Sequence, residues 1–126
     1  MCFVLAGSVA GFADGKLDGP VVKNVKTEEA SKLLQENKKV VVLDVRTPEE
    51  FADGHIAGAK NVDFLAPDFA KSLDSLDKSQ TYLVHCAGGG RSSKARDLMA
   101  GHHFLTIYHL EGGFNAWKEA GKPIEK

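Results

Sequence analysis

Short apolar runs and amphipathic stretches alternate along most of this chain. Val21 to Val25 is a β-branched run that reads as a first strand. Thr27-Glu28-Glu29-Ala30 opens a helix with Thr27 as its N-cap, and Ala30, Leu33 and Leu34 give it one apolar stripe. Val40 to Val45 is nearly continuously apolar, the pattern of a strand covered on both faces. Thr47 then caps a second helix that begins with Pro48 and the early acids Glu49 and Glu50; Gly54 ends it. Gly58 to Val62 returns to a short strand, and Phe69, Leu73 and Leu76 predict an amphipathic helix over Pro67 to Leu76. Thr81 to Cys86 is a second buried-type strand. Ser92 to His102 predicts a helix with Ala95, Leu98 and Met99 on one side, and Thr106 to Leu110 a last strand. Gly112-Gly113 break the chain before a final helix, Phe114 to Ala120, with Phe114 and Trp117 in its core and Gly121 and Pro123 past its end.

Strands that alternate with helices predict an α/β fold, a mostly parallel sheet with helices on both faces. In such sheets functional groups collect at the carboxyl ends of the strands. Two strand ends carry polar residues of interest: Asp44 and Arg46 after one, Cys86 to Ser92 after the other.

The chain has 126 residues, 43% hydrophobic and 26% charged, which suits one folded domain rather than a disordered segment. Sixteen basic residues against seventeen acidic ones leave a net charge of −1, with no basic stripe for nucleic acid. Anion recognition must therefore come from a local site. The two cysteines, Cys2 and Cys86, could form only one bridge, and it would tie a chain end to a glycine loop; this is not a disulfide scaffold. Residues 1–20 read as a leader plus loop, and residues 21–126 as the folded domain. Met1 to Ala13 is uncharged and apolar, too short for a membrane-spanning helix. It has the apolar core of an export signal, with Gly11-Phe12-Ala13 in small-x-small form, but lacks the basic segment that usually precedes one. A periplasmic or otherwise exported protein is the reading favoured. The alternative is a cytoplasmic protein whose leader packs on the domain.

Cys86-Ala87-Gly88-Gly89-Gly90-Arg91-Ser92 is where the chemistry concentrates. Consecutive glycines let a loop turn its N–H groups inward as an anion nest. The loop runs into a helix N-terminus, which adds unpaired N–H groups and partial positive charge. Arg91 adds a full charge on a planar fork. A cysteine at the mouth of such a cradle is stabilised as a thiolate, its nucleophilic form. His85 adjoins it, but neighbouring strand residues point to opposite faces, so His85 faces away from the cysteine rather than acting as its base. His55 reads as a helix-end or packing group, and His102 and His103 as residues suited to a helix terminus. No histidines combine with cysteine or carboxylates at metal-ligand spacing, so no metal is expected.

Three segments resemble the rhodanese family. Val42-Leu43-Asp44-Val45-Arg46-Thr47-Pro48-Glu49-Glu50-Phe51 with Gly54-His55-Ile56-Ala57-Gly58-Ala59-Lys60-Asn61 is similar to its first signature. Cys86 to Ser92 resembles its active-site loop, Cys-x-x-Gly-x-Arg-Ser. Leu110-Glu111-Gly112-Gly113-Phe114 with Trp117, Gly121 and Pro123 resembles its C-terminal signature. The likeness covers roughly residues 21 to 124. It implies a three-layer α/β/α fold on a mostly parallel sheet of five strands. It implies a sulfurtransferase that moves sulfane sulfur through a persulfide on Cys86, with no cofactor. The donor would be a small anion such as thiosulfate, and the acceptor cyanide, a thiol or a sulfur-relay protein partner; a free enzyme and a persulfide carrier both fit. Ala87, Gly88, Gly89, Gly90, Arg91 and Ser92 would hold the anionic sulfur, with Arg91 orienting the loop or attracting the donor. Asp44 and Arg46 are read as structural, paired with each other or bracing the loop. One departure is Gly101-His102-His103-Phe104, where family members often have a Leu-Gly-aromatic turn. Phosphatases and arsenate reductases also set a cysteine and an arginine around an oxyanion, but usually with five residues between them; here there are four. A binding module on the same fold is the non-enzymatic alternative.

Overall fold

The structure, a computed structural model, describes residues 20–126; the leader Met1 to Ala13 and Cys2 lie outside them. The elements are β1 (Val21–Val25), α1 (Thr27–Glu36), β2 (Val41–Asp44), α2 (Pro48–Asp53), β3 (His55–Ile56), β4 (Lys60–Asn61), α3 (Phe69–Leu73), β5 (Thr81–His85), α4 (Gly90–Gly101), β6 (Thr106–Leu110), α5 (Gly113–Glu119) and β7 (Ile124–Glu125). Five strands form one sheet in the order β1-β6-β5-β2-β4. Every pairing in it is parallel. The register sets Asp44 opposite His85, Val84 opposite His109, and Asn24 opposite His109. Among the described residues no helix is long and apolar enough to cross a membrane.

Period-2 alternation sorts the strands' side chains onto two faces, and each face has its own core. Leu43, Val45, Tyr82, Val84, Cys86 and Ile107 pack with Phe69 and Leu73 of α3 and with Ala95 and Met99 of α4. Val25, Val42, Leu83 and Leu110 pack on the other face with Ala30 of α1 and with Phe114 and Trp117 of α5. The result is the three-layer α/β/α arrangement. Cys86 belongs to the α3–α4 face, whereas His85 on the preceding strand residue is turned toward Phe114, 6.5 Å between ring centres.

Several boundaries differ from the sequence expectation. The carbonyl of Lys26 accepts the first helical bond of α1, from Ala30 at 2.9 Å, so Lys26 holds the N-cap position and Thr27 is already helical. The helix expected over Pro67 to Leu76 is only Phe69–Leu73, because the chain leaves it through the tight turns Ser72 to Ser75 and Leu73 to Leu76. Helix α4 starts two residues early, at Gly90, which places Arg91 and Ser92 in its first turn. Its buried residues are Ser92, Ala95 and Met99, while Leu98 is 39% exposed. The antiparallel pair β3–β7, which pins the C-terminal residues beside His55, is too short for a periodicity signal.

His103, between α4 and β6, has φ 72°, a left-handed conformation that is costly for a residue with a Cβ. This is the departure from the Leu-Gly-aromatic turn seen in the sequence. His103→Gly is expected to raise stability by about 0.5–1 kcal/mol, read as a small rise in Tm; an unchanged or lowered Tm would show the turn to be unstrained.

Candidate active site

The loop after β5 closes around the sulfur of Cys86. The Gly89 amide donates to Cys86 Sγ at 3.1 Å, and the Ser92 hydroxyl lies 3.4 Å from the same sulfur. Gly89 reaches this position at φ 115°, where a Cβ would stand 2.6 Å from the Glu111 carbonyl oxygen; only glycine fits. Gly88 and Gly90 are exposed, and a Cβ on either would meet nothing within 4 Å, so the outer wall of the loop is open. Ala87 is partly covered.

Burial pushes the Cys86 thiol up, but the Ser92 hydroxyl and the amides of Ser92, Gly89 and Gly88 outweigh it, and the net direction is down. The sulfur is thus biased toward thiolate at the N-terminus of α4, a helix of 12 residues whose first N–H groups have no helical partner.

The carbonyls on the loop's other side are held by α5. Phe114 N–H donates to the Cys86 carbonyl at 2.8 Å and Asn115 N–H to that of Ala87 at 3.0 Å. With these carbonyls fixed outward, the amides of Gly88 and Gly89 are left facing the sulfur. His85 Nδ1 also donates to the Cys86 carbonyl, at 2.9 Å. That bond uses the ring's one proton, so Nε2 is bare; it lies 3.8 Å from Asp44 Oδ2 and has no hydrogen-bond partner. Burial holds this ring below the usual histidine range. His85 positions a carbonyl and does not touch the sulfur.

Arg91 points across the mouth and forms a two-pronged ion pair with Glu50 of α2, at 2.8 and 3.1 Å. Glu50 is doubly used, since it also closes the capping box on Thr47. In the sequence Glu50 marks a helix start, and the Thr47-x-x-Glu50 box is a signal that it is fixed in space, but no local pattern pairs it with Arg91. The Arg91 hydrogen bonds, above all, hold its carboxyl down at about 2. A depressed carboxylate contributes above its unfolded value, roughly 4.3, and loses that contribution as pH falls through the folded value. Both partners are therefore charged across roughly pH 5 to 8.

Asp44 and Arg46 lie apart from the cradle, buried on the α1–α5 face. Arg46 grips both Asp44 oxygens at 2.7–3.1 Å and donates to the Gly54 carbonyl at 2.7 Å. Its guanidinium sits 4.3 Å from the centre of the Phe114 ring. Asn61 Nδ2 donates to the carbonyls of Asp44 and Arg46 at 3.0 and 2.9 Å. This pair ties β2 to the end of α2 and supports α5, and through α5 the loop.

His55 stacks on Phe51 at 3.7 Å and bonds the Phe51 carbonyl at 2.8 Å, a helix-end role. His102 pairs with Asp74 at 3.2 Å. His109 sits in β6 outside every motif of the sequence. It lies 2.8 Å from Ser92 Oγ, on the same strand face as Ile107, which is the alternation that would have found it.

Residues 26–120 match the family described as rhodanese-like domain. The chain is 38% identical over 93 residues to thiosulfate sulfurtransferase 16, chloroplastic, of Arabidopsis thaliana, covering 66% of this chain and 78% of that protein. It is 36% identical over 97 residues to thiosulfate sulfurtransferase GlpE of Pseudomonas putida, covering 76% and 84%. A crystal structure of a rhodanese-related protein from Thermoplasma volcanium superposes with a TM-score of 0.70 at 32% identity, covering 82% of this chain and 97% of that one.

Proposed function

Because the chain belongs to the rhodanese-like domain family, we propose that it is a sulfurtransferase in which Cys86 carries the sulfur as a persulfide. The observation that carries this reading is Cys86 Sγ sitting among the Gly89 amide, the Ser92 hydroxyl and the open N-terminus of α4. The relatives named as thiosulfate sulfurtransferases support an anionic donor of that kind.

The chemistry divides into two displacements. Cys86 thiolate attacks the outer sulfur of thiosulfate; a new S–S bond forms, the donor's S–S bond breaks, and sulfite leaves with the electron pair. The outer sulfur of the persulfide is then attacked by cyanide or a thiolate, and Cys86 leaves as thiolate again. Both states of the sulfur are anionic, so inward N–H groups serve each of them. No proton must be delivered to a leaving alcohol, and no general acid is needed at the mouth. The exposed Gly88 and Gly90 impose no side chain on the approaching donor, which suits a small anion or a partner's thiol equally.

Arg91 follows the loop directly and its charge is felt at Cys86, but at rest it is bound to Glu50. An anionic donor shares or displaces that carboxylate. Arg91→Ala is expected to raise KM for thiosulfate by about tenfold, the scale of one charge-assisted contact, and to change turnover of an uncharged organic polysulfide far less. Steady-state rates with the two donors test this. An equal loss with both would mean that Arg91 shapes the loop and does not recruit the donor.

A further inference from the structure

Ser92 is fully buried, so its hydroxyl answers to neighbours and not to solvent. It has one proton and three groups within reach: Cys86 Sγ at 3.4 Å, the Gly89 carbonyl at 3.3 Å and His109 Nε2 at 2.8 Å. Which of them receives the proton depends on His109. That ring is itself buried, 4% exposed, and its other nitrogen, Nδ1, lies 3.1 Å from Asn24 Oδ1 and 3.3 Å from Arg96 Nη1.

A neutral imidazole has one N–H, and here the two placements have opposite effects on the sulfur. With the proton on Nδ1, the ring donates to Asn24, Nε2 accepts the Ser92 hydroxyl, and the sulfur loses that donor. With the proton on Nε2, the ring donates to Ser92 Oγ, and the hydroxyl proton is left to the Gly89 carbonyl and the sulfur, of which the anionic sulfur is the stronger acceptor. Asn24 Oδ1, an acceptor 3.1 Å from Nδ1, pulls the proton toward Nδ1, and Arg96 opposes it with a full charge that also satisfies the same Asn24 oxygen. Arg96 Nη1 donates to Asn24 Oδ1 at 2.9 Å and faces the Nδ1 lone pair, so a proton on Nδ1 would be set against a guanidinium. The other charged or titratable groups around the ring are Asp97, which binds Arg96 at 2.9 Å, Glu111 just past β6, and His85 on β5. Burial, and after it Arg96, keeps the ring below the usual histidine range and therefore neutral near pH 7.

We propose that His109 is a positioning residue that, by donating from Nε2 to Ser92, turns the Ser92 hydroxyl onto Cys86 Sγ and so favours the thiolate. This rests on the reading of Cys86 as the nucleophile, but it concerns the ionisation of the thiol and not the later sulfur transfer. When Cys86 ionises, its proton leaves to solvent; His109 and Ser92 each keep the one proton they hold, and only its direction is fixed.

The test is the pH dependence of Cys86 alkylation by iodoacetamide in the full chain, read by mass spectrometry on the peptide that contains Cys86. In His109→Leu the Ser92 hydroxyl keeps its reach to the sulfur but loses the donor that polarises and holds it, so the midpoint is expected to rise by about half a pH unit and the rate at neutral pH to fall about two- to threefold; a ring that accepted from Ser92 would give the opposite sign, because its removal would free the hydroxyl for the sulfur. Ser92→Ala should shift the midpoint at least as far, and the double variant no further than Ser92→Ala alone. His109→Gln, whose amide can still donate, should lie near the unaltered protein. A His109→Leu midpoint that falls, or that does not move while that of Ser92→Ala does, or shifts that add in full, would overturn the proposal. Should His109→Leu fail to fold, the imidazole ¹⁵N shifts of the unaltered protein decide: a protonated Nε2 supports the proposal, and a protonated Nδ1 overturns it. Neither readout uses a sulfur donor. A chain that passes both yet takes up no sulfur from thiosulfate leaves the role of His109 standing and removes the persulfide mechanism.

Discussion

Cys86→Ser should abolish sulfur transfer while leaving the fold in place. The side chain is 1% exposed and packs on the α3–α4 face, where serine takes nearly the same volume. Serine can also accept from the Gly89 amide that now meets the sulfur at 3.1 Å. The stability cost is therefore small, about 1 kcal/mol. The chemical cost is not small. An alkoxide is unavailable near neutral pH, and an oxygen nucleophile does not form the reversible sulfur–sulfur bond the cycle needs. A fall of at least about a thousandfold in transfer from thiosulfate to cyanide is expected, with a Tm within a few degrees of the unaltered protein. Retained transfer would assign the chemistry to another group.

The second large effect is expected from a residue that touches no substrate. Gly113 sits at φ 64°, and a Cβ there would stand 2.6 Å from the Cys86 carbonyl oxygen and nearer still to that of Ala87. Those are the two carbonyls that α5 holds through Phe114 and Asn115. Gly113→Ala must push α5 away from the loop, or turn the carbonyls, and it adds left-handed strain. A destabilisation of about 2–4 kcal/mol is expected, with a drop in Tm of roughly 10 °C. If the variant remains folded at assay temperature, the amides no longer converge on the sulfur, and transfer should fall roughly ten- to a hundredfold. The Cys86 alkylation midpoint should move up with it. Thermal melts and the alkylation profile measure the two separately. A variant with normal stability and normal rate would mean that α5 does not shape the cradle.

The β-α alternation was legible because its strands are covered on both faces, and runs such as Val40 to Val45 and Thr81 to Cys86 leave little choice of structure. Strand alternation alone separated His85 from Cys86. Capping was legible where side chain and backbone agree, as at Thr47 and Pro48. It misled at Thr27, where a lysine carbonyl, and no side chain, occupies the cap. Local pattern also could not carry contacts between distant segments. The Glu50–Arg91 pair joins residues 41 apart, and the Ser92–His109 contact joins the first turn of α4 to β6, 17 residues on. Leu98 matches the helical period but is 39% exposed, because the buried stripe of α4 runs through Ser92, Ala95 and Met99 and leaves Leu98 at its edge.

Uptake of one sulfur atom by Cys86 from an anionic donor is read from the intact mass of the reduced protein before and after thiosulfate. A gain of one sulfur atom on Cys86 is expected, reversed by cyanide and missing in Cys86→Ser. No gain, with Cys86 shown to be reduced and open to alkylation, would rule out the persulfide on Cys86.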